Sequence, residues 1–223
     1  MNIDITVPET LSEITLQQFQ KYVKLITENE PSEFVNQKTV EIFCNIKLKD
    51  IARIRIADVT DIINHLNELL SLTPALKTTF KLGKTEFGFI PKLEDITSGE
   101  FIDLENYLKE PSTFHNAMAV LYRPIVSKVS NLYQIEEYKG SDVYADVMKY
   151  APLDVVLGSI VFFYTLHNDC VKGLKNYILQ QANQEESLKS LLEKNGDGIN
   201  QFTQQLEEIF SNLNISLNYQ SHN

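Results

Sequence analysis

The sequence predicts a mainly α-helical domain that carries a small antiparallel β-hairpin and ends in a C-terminal amphipathic helical arm. Apolar residues recur every three or four positions along most of the chain, which is the spacing of one helix face. Two β-prone runs between residues 77 and 90 flank Gly83 and Lys84, and this pattern indicates a tight hairpin turn. A polar break then divides a core domain, residues 1–182, from the arm, residues 183–223.

Three helices are predicted in the first third of the chain. Thr15 and Gln18 have the spacing of a capping box, which begins the first helix. Ser32, which follows a proline, starts a second helix that runs through Cys44. The third helix covers about residues 58–70, where six apolar side chains form one stripe before a proline ends it.

Helices resume after the hairpin, and one further strand is expected among them. Thr97 and Glu100 again have capping-box spacing, and the next helix begins near Thr113. That helix should stop before Pro124, because proline disfavours the helical conformation of the residue that precedes it. Residues 132–138 are β-prone and are a candidate third strand, since an isolated hairpin is only marginally stable.

The last helix of the core domain is predicted to be its central element. A short helix covers about residues 142–150, and a long helix starts at Pro152 and runs to about Gln181. Its first half is apolar nearly all round, which is typical of a helix buried on most sides. The most apolar window, residues 155–166, is shorter than the roughly 20 residues that a bilayer requires. We therefore expect a buried helix and no membrane span.

Composition excludes several classes of function. Lysine and arginine number 20 against 30 acidic residues, so the formal net charge is −10. A general nucleic-acid binder or a protein held on anionic lipid needs a basic surface, so we expect neither partner. The N-terminus has no basic and apolar leader, and we expect no secretory signal. Cys44 and Cys170 are far apart in apolar runs, which favours buried, reduced thiols.

The sequence gives only weak signals for a metal site or a catalytic site. Residues 193–198 resemble the start of a calcium-binding loop, but Gln204 stands where a bidentate glutamate is required. A plain turn between helices explains them better. His167 and Cys170 share a helix interior, which offers no free N–H groups for an oxyanion. The acidic residues around Glu100 are interpreted as a solvated helix face. We therefore predict no catalytic residue, no metal site and no cofactor.

Two stretches are the candidates for binding other proteins. Tyr122 and Arg123 lie at a predicted helix end, where they form either a simple helix stop or a recognition corner. The arm carries apolar residues at helical spacing, which either dock on the domain of the same chain or insert into a groove of another chain. Its predicted partner-binding residues are Phe202, Leu206, Ile209 and Phe210.

Four short stretches resemble a set of small proteins encoded by tailed bacteriophages. They are residues 88–91 (GFIP), 99–104 (GEFIDL), 117–125 (AMAVLYRPI) and 151–153 (APL), with a looser similarity at 14–21 (ITLQQFQK). The resemblance covers about residues 85–165 and implies a virion or tail-module protein. The role that the resemblance implies is like that of a tail-assembly chaperone, a non-enzymatic protein that binds other tail components before or during assembly.

The resemblance also implies where the protein acts and which partners it has. The expected partners are other bacteriophage virion or tail proteins, and a homo-oligomer within an assembly is compatible with the same role. The expected location is the cytoplasm of the host cell during assembly, or the virion itself. The alternative function is a stoichiometric virion component, such as a neck or tail adaptor, a ring protein or a capsid-interior protein.

Overall fold

Four helices form the N-terminal part of the fold. The structure is a computed structural model that describes the backbone of residues 5–182 and the side chains of 5–166, 169, 172 and 173. The capping box of Thr15 and Gln18 forms as predicted, and Ser32 caps the second helix. The Gln18 amide also donates to the Ile42 carbonyl at 2.9 Å, which ties the first helix to the second. The four helices are α1 (Leu16–Glu28), α2 (Glu33–Cys44), α3 (Leu48–Ile51) and α4 (Ile56–Leu70).

The predicted hairpin follows α4. Strands β1 (Thr79–Leu82) and β2 (Thr85–Phe89) pair antiparallel across the turn at Gly83 and Lys84. Gly83 has a φ of 58°, whereas the φ of Lys84 is not positive. A type II′ turn requires a positive φ at its first central residue only. Phe87 and Phe89 of β2 are buried on the face of the sheet that packs against helices, which we call the core face.

The segment after the hairpin contains two of the predicted helices and then a strand where none was predicted. Helix α5 (Ser98–Tyr107) begins at its predicted capping box, and α6 (Phe114–Leu121) ends three residues before Pro124. The chain then enters strand β3 (Tyr122–Val129) without a loop. The β2–β3 register ends at Pro124, and the β3–β4 register starts at the following residue, so the proline lies where the strand passes from one neighbour to the other.

Strand β4 (Leu132–Ile135) completes a four-stranded antiparallel sheet in the order β1-β2-β3-β4. The register of β3 and β4 shifts between Ile125 and Ser127, which marks a β-bulge. On the far side of the sheet from the core face, the Tyr133 ring lies across Gly88 of β2. The Tyr133 hydroxyl donates to the Phe89 carbonyl at 2.9 Å, which fixes β4 to a strand that it does not pair with.

The last described helix runs through the centre of the molecule. After the short helix α7 (Ala145–Met148), α8 (Leu153–Ala182) starts one residue after Pro152, the predicted first residue. Thr15 bridges Pro152, and the Leu153 amide donates to the Ile14 carbonyl at 2.8 Å, so the start of α8 is tied to that of α1. The first three turns of α8 are almost fully buried between the sheet and the other helices.

The fold class is mixed α/β, and the prediction of a mainly α-helical domain with a small hairpin is wrong. Residues 5–182 contain a complete four-stranded sheet as well as eight α-helices. The error concerns β3, because a proline in a central strand removes a backbone donor and so argues against a strand when only the sequence is known. Of the helices that the structure describes, none is long and apolar enough to cross a membrane.

Candidate functional site: an apolar surface at one end of the sheet

Arg123, predicted as a partner contact, lies inside the domain and is only 7% exposed. Its Nη1 contacts Glu100 Oε1 at 2.7 Å, which joins β3 to the first turn of α5. The other oxygen of Glu100 accepts the Thr97 backbone N–H at 2.8 Å in the capping box. The expectation that Glu100 lies on a solvated helix face is therefore wrong, because its carboxylate is buried and bonded on both oxygens.

The aromatic ring of Tyr138 covers this ion pair. The Arg123 guanidinium carbon lies 5.6 Å from the ring centroid, and the Tyr138 hydroxyl donates to Asp103. Burial, together with this hydrogen bond, raises the pKa of Tyr138, so the phenol stays protonated and remains a donor. Among the described residues, no acceptor reaches Arg123 Nε, which is fully buried. The cluster is a structural connection within the domain.

Tyr122, the other residue predicted at this corner, lies entirely within the core. Its ring packs edge-on against Phe80 and Phe89, and its hydroxyl donates to the Lys77 carbonyl at 2.6 Å. Burial raises the pKa of this phenol. Tyr122 and Arg123 thus use their side chains for contacts inside the domain and offer almost no surface to another chain.

The four residues predicted on the arm, Phe202, Leu206, Ile209 and Phe210, lie outside the described residues. The calcium-loop resemblance at 193–198 and the side chains of His167 and Cys170 also lie outside them. Cys44 is described: its thiol is buried and unbridged, as predicted, and burial raises its pKa to about 11.

An apolar hollow lies between the β1–β2 turn and α7. It has a volume of about 460 Å³ and is lined by Leu82, Gly83, Asp146, Val147 and Tyr150. Tyr150 is 59% exposed and Val147 is 41% exposed, so both side chains stand open to solvent. Asp146 is the charged residue of the lining and is paired with Lys149 at 2.7 Å. The hollow offers shape and apolar contact.

The turn between β3 and β4 carries a second exposed apolar site, which we call the hairpin tip. It consists of Val129 and Leu132, which lie directly opposite each other and are 75% and 79% exposed. Strand alternation, with the bulge included, places both on the core face that also carries Phe87. At the end of the sheet where the hollow lies, the core face therefore extends beyond the helices that pack on it and is open to solvent.

A polar cleft of about 730 Å³ lies on the other side of α7, between α1 and α6. The Gln20 amide nitrogen donates to the carbonyls of Pro111 and Ser112 at 2.9 and 3.0 Å, and these carbonyls fix its orientation. The same nitrogen lies 3.0 Å from His115 Nδ1.

The polar cleft lacks the contact that would activate a nucleophile. Burial and the Lys149 ammonium lower the pKa of His115, which favours the neutral ring but makes it a weaker base. The nearby Ser112 hydroxyl, however, donates to Glu110 at 3.1 Å rather than to His115. Among the side chains that the structure describes, no three histidine, cysteine, aspartate or glutamate residues come together as metal ligands.

Reasoning from the sequence missed both the hollow and the hairpin tip. Val129 and Leu132 could have been noticed, because they flank the polar pair Ser130-Asn131, which is typical of a turn. The hollow leaves no comparable signal, since its residues come from a hairpin turn and a short helix that only the tertiary fold brings together. No family model matches the chain, and comparisons with curated proteins and with solved structures find no match.

Proposed function

We propose that this chain is a non-enzymatic bacteriophage assembly protein that binds other virion or tail proteins through apolar surface. The observation that carries the proposal is the apolar hollow together with the hairpin tip, at the same end of the sheet. Single exposed apolar side chains are ordinary on protein surfaces, but a group of them at one end of a sheet is typical of an interaction site. The resemblance of residues 85–165 to tailed-bacteriophage proteins gives the class of partner.

The charge of the chain is compatible with such a role. A net charge of −10 opposes self-aggregation while apolar surface is open to solvent. In the proposed mechanism, the protein covers apolar helices of a virion component until the next subunit of the particle displaces it. Binding of this kind needs complementary apolar surface and involves no bond making or breaking.

The test is recovery of identified virion or tail proteins from infected cells. The tagged protein should retain them under conditions where a Val129→Ser/Leu132→Ser variant loses at least about 90% of the recovery, since each substitution removes an exposed apolar contact. Phe34→Ser is the matched control, because Phe34 is 52% exposed on α2 and lies outside the proposed surface. Recovery of no virion protein by the unaltered chain would overturn the proposal.

Mass spectrometry of purified virions separates the assembly role from the structural alternative. An assembly protein of the chaperone type should be absent from the finished particle. Many copies per particle would instead identify a stoichiometric neck, tail or capsid-interior component, and the assembly role would then be discarded.

A further inference from the structure

We propose that the polar cleft between α1 and α6 binds a small organic phosphate, which is a sugar phosphate or a nucleotide. Cationic and neutral hydrogen-bond donors line this cleft, and they come from three separate parts of the chain. The ligand is a small molecule, so the inference goes beyond the assembly role proposed above and does not depend on any virion component.

One face of α1 forms a wall of the cleft. Most of its lining residues recur at steps of three and four, which places them side by side on the helix, at positions 17, 20, 21, 24, 27 and 28. This face presents the ammonium groups of Lys21 and Lys24 beside the side-chain amides of Gln17 and Gln20. Lys21 is exposed and pairs with no carboxylate of the residues that the structure describes. Its charge is therefore available to an anion.

Lys149 and His115 bring further nitrogen groups to the cleft from outside α1. The Gln17 backbone N–H donates to the Lys149 carbonyl at 2.8 Å, which holds this lysine beside the first turn of α1. The Lys149 side chain is half-buried, and its ammonium lies close enough to His115 to lower the pKa of the ring. Positive charge from two different elements thus acts on the same cleft.

The charge of the cleft is opposite to that of the whole chain. Three lysines and the two acidic residues Glu28 and Glu110 line it, so the lining carries a net charge of +1 when His115 is neutral. The chain as a whole carries −10. An anion that approaches this protein is therefore attracted to the cleft and repelled by most of the remaining surface.

The existing ion pairs indicate that the ligand carries more than one negative charge. Lys24 lies 3.8 Å from Glu28, and Lys149 lies 2.7 Å from Asp146, but both carboxylates are exposed, so these pairs are weak. A ligand with a single carboxylate would only replace one such partner by another. A phosphate ester carries about two negative charges and three acceptor oxygens, so it can bind two ammonium groups at once.

The size of the cleft indicates that the phosphate carries an organic group. Its volume of about 730 Å³ lies within the range of about 300–1,000 Å³ that is typical of small-molecule sites. Inorganic phosphate would fill only a small part of it. Val23 and Pro111 add apolar surface to the lining, which suits the carbon skeleton of an ester.

Titration of the isotope-labelled full chain, followed by NMR at low ionic strength, tests the proposal. The probes are glycerol 3-phosphate and adenosine monophosphate, and their uncharged counterparts are glycerol and adenosine. At least one ester should bind with a Kd of about 1 mM or tighter, and neither uncharged compound should bind. Binding of neither ester overturns the proposal, and so does an uncharged compound that binds as tightly as its phosphate.

Two further anions test the class of ligand. Inorganic phosphate lacks the organic group, and the dicarboxylate succinate lacks the phosphate. Each should bind at least about tenfold more weakly than the better ester. If either of them binds as tightly as the ester, the cleft does not recognise an organic phosphate and the proposal fails.

Variants of the lining place the site in the cleft. Lys21→Gln/Lys149→Gln should weaken binding of the ester at least about tenfold, because two charged donors are lost. The matched control, Lys49→Gln/Lys92→Gln, removes the same charge from two exposed lysines outside the cleft and should bind nearly as the unaltered chain does. Glu28→Gln should strengthen binding, since it removes a carboxylate that competes for Lys24.

The variants also give the results that would contradict the site. Equal weakening by the two lysine pairs, or weaker binding in Glu28→Gln, would overturn it. Circular dichroism checks folding, and Lys21→Gln alone replaces the double variant if that one unfolds. Because only purified protein and small molecules are used, failure here leaves the assembly role to its own test.

Discussion

Arg123 and Glu100 show how a single buried pair joins two elements of this fold. Two charges leave water to form the pair, and their attraction compensates only because each carries further contacts. Glu100 also completes the capping box of α5, and Arg123 lies beneath the ring of Tyr138. Removing one partner leaves the other charge buried and unpaired. Removing both charges leaves no unpaired charge in the core.

We expect Arg123→Met to lower the free energy of unfolding by about 3–5 kcal/mol at neutral pH. The double variant Arg123→Met/Glu100→Gln should recover most of this loss, because the glutamine can still accept the capping hydrogen bond and no lone charge remains. Urea denaturation followed by circular dichroism measures both effects.

The exposed pair Arg55–Asp58 is the matched control for this prediction. Its atoms are 2.6 Å apart, but the Arg55 side chain is 83% exposed to solvent, which screens the pair, so Arg55→Met should leave the free energy of unfolding nearly unchanged. A loss for Arg123→Met as small as that of the control would show that the buried pair does not stabilise the fold.

His115 makes stability depend on pH. Burial and Lys149 lower the pKa of its ring, while Asp146 acts in the opposite direction. The unfolded chain therefore takes up this proton at a higher pH than the folded chain does. The contribution of His115 is complete above the unfolded value of about 6.5 and is lost as the pH falls through that value towards the folded pKa.

We expect the urea midpoint to fall as the pH is lowered from about 7 towards 5.5, a range in which histidine titrates and most carboxylates do not. In His115→Gln this part of the decline should be reduced. An identical pH dependence in the variant and the unaltered protein would rule out His115 as its source.

At the scale of elements, Tyr133 and Gly88 position β4 on the sheet. The Tyr133 ring crosses β2, and its hydroxyl lies within hydrogen-bond distance of the carbonyl oxygens of Phe89 and Thr78. A Cβ on Gly88 would lie 2.5 Å from Tyr133 Cε2 and 3.0 Å from Ile125 Cγ1. Glycine at this position thus creates the groove in which the tyrosine lies.

Gly88→Ala should destabilise the protein by about 1–3 kcal/mol, because a methyl group there forces the tyrosine ring off its hydrogen bonds. In the Tyr133→Ala background the same substitution should cost clearly less, and the double-mutant cycle measures the difference. Gly99→Ala in α5 is the control, since no atom lies within 4 Å of its Cβ position. Equal costs of Gly88→Ala in the two backgrounds would contradict this account of the groove.

At the scale of the whole molecule, helices and sheet share the main hydrophobic core of residues 5–182, and a smaller cluster of Val40, Cys44, Ile51 and Val59 lies beside it. The members of the main core come from α1, α4, α6, α8 and the first three strands, and Leu157 of α8 is completely buried among them. Such a core predicts cooperative unfolding, with helix and sheet lost together.

Leu157→Ala should cost about 2–5 kcal/mol through lost burial and the cavity left behind. The far-ultraviolet signal of the helices and the near-ultraviolet signal of the buried tyrosines should shift to the same new midpoint. Leu72→Ala, at a site 53% exposed, should change stability by no more than about 0.5 kcal/mol. Separate midpoints for the two signals would show that the sheet and the helices are independent units.

The sequence alone determined the elements whose signals are local. The two capping boxes, the turn at Gly83 and the start of α8 beside Pro152 each depend on residues within a few positions, and all form within one residue of the prediction. In each case the stabilising contact is a short-range hydrogen bond or a fixed backbone angle, which neighbouring residues specify by themselves.

Only the tertiary structure decided the features that join distant parts of the chain. Strand β3 contains Pro124 and is stabilised by its partners β2 and β4, so its own sequence does not identify it. The pairing of Glu100 with Arg123 and the hollow beside Tyr150 likewise arise between segments far apart in sequence. Burial, pairing and surface shape are properties of the whole packing arrangement, whereas periodicity and capping are properties of short segments.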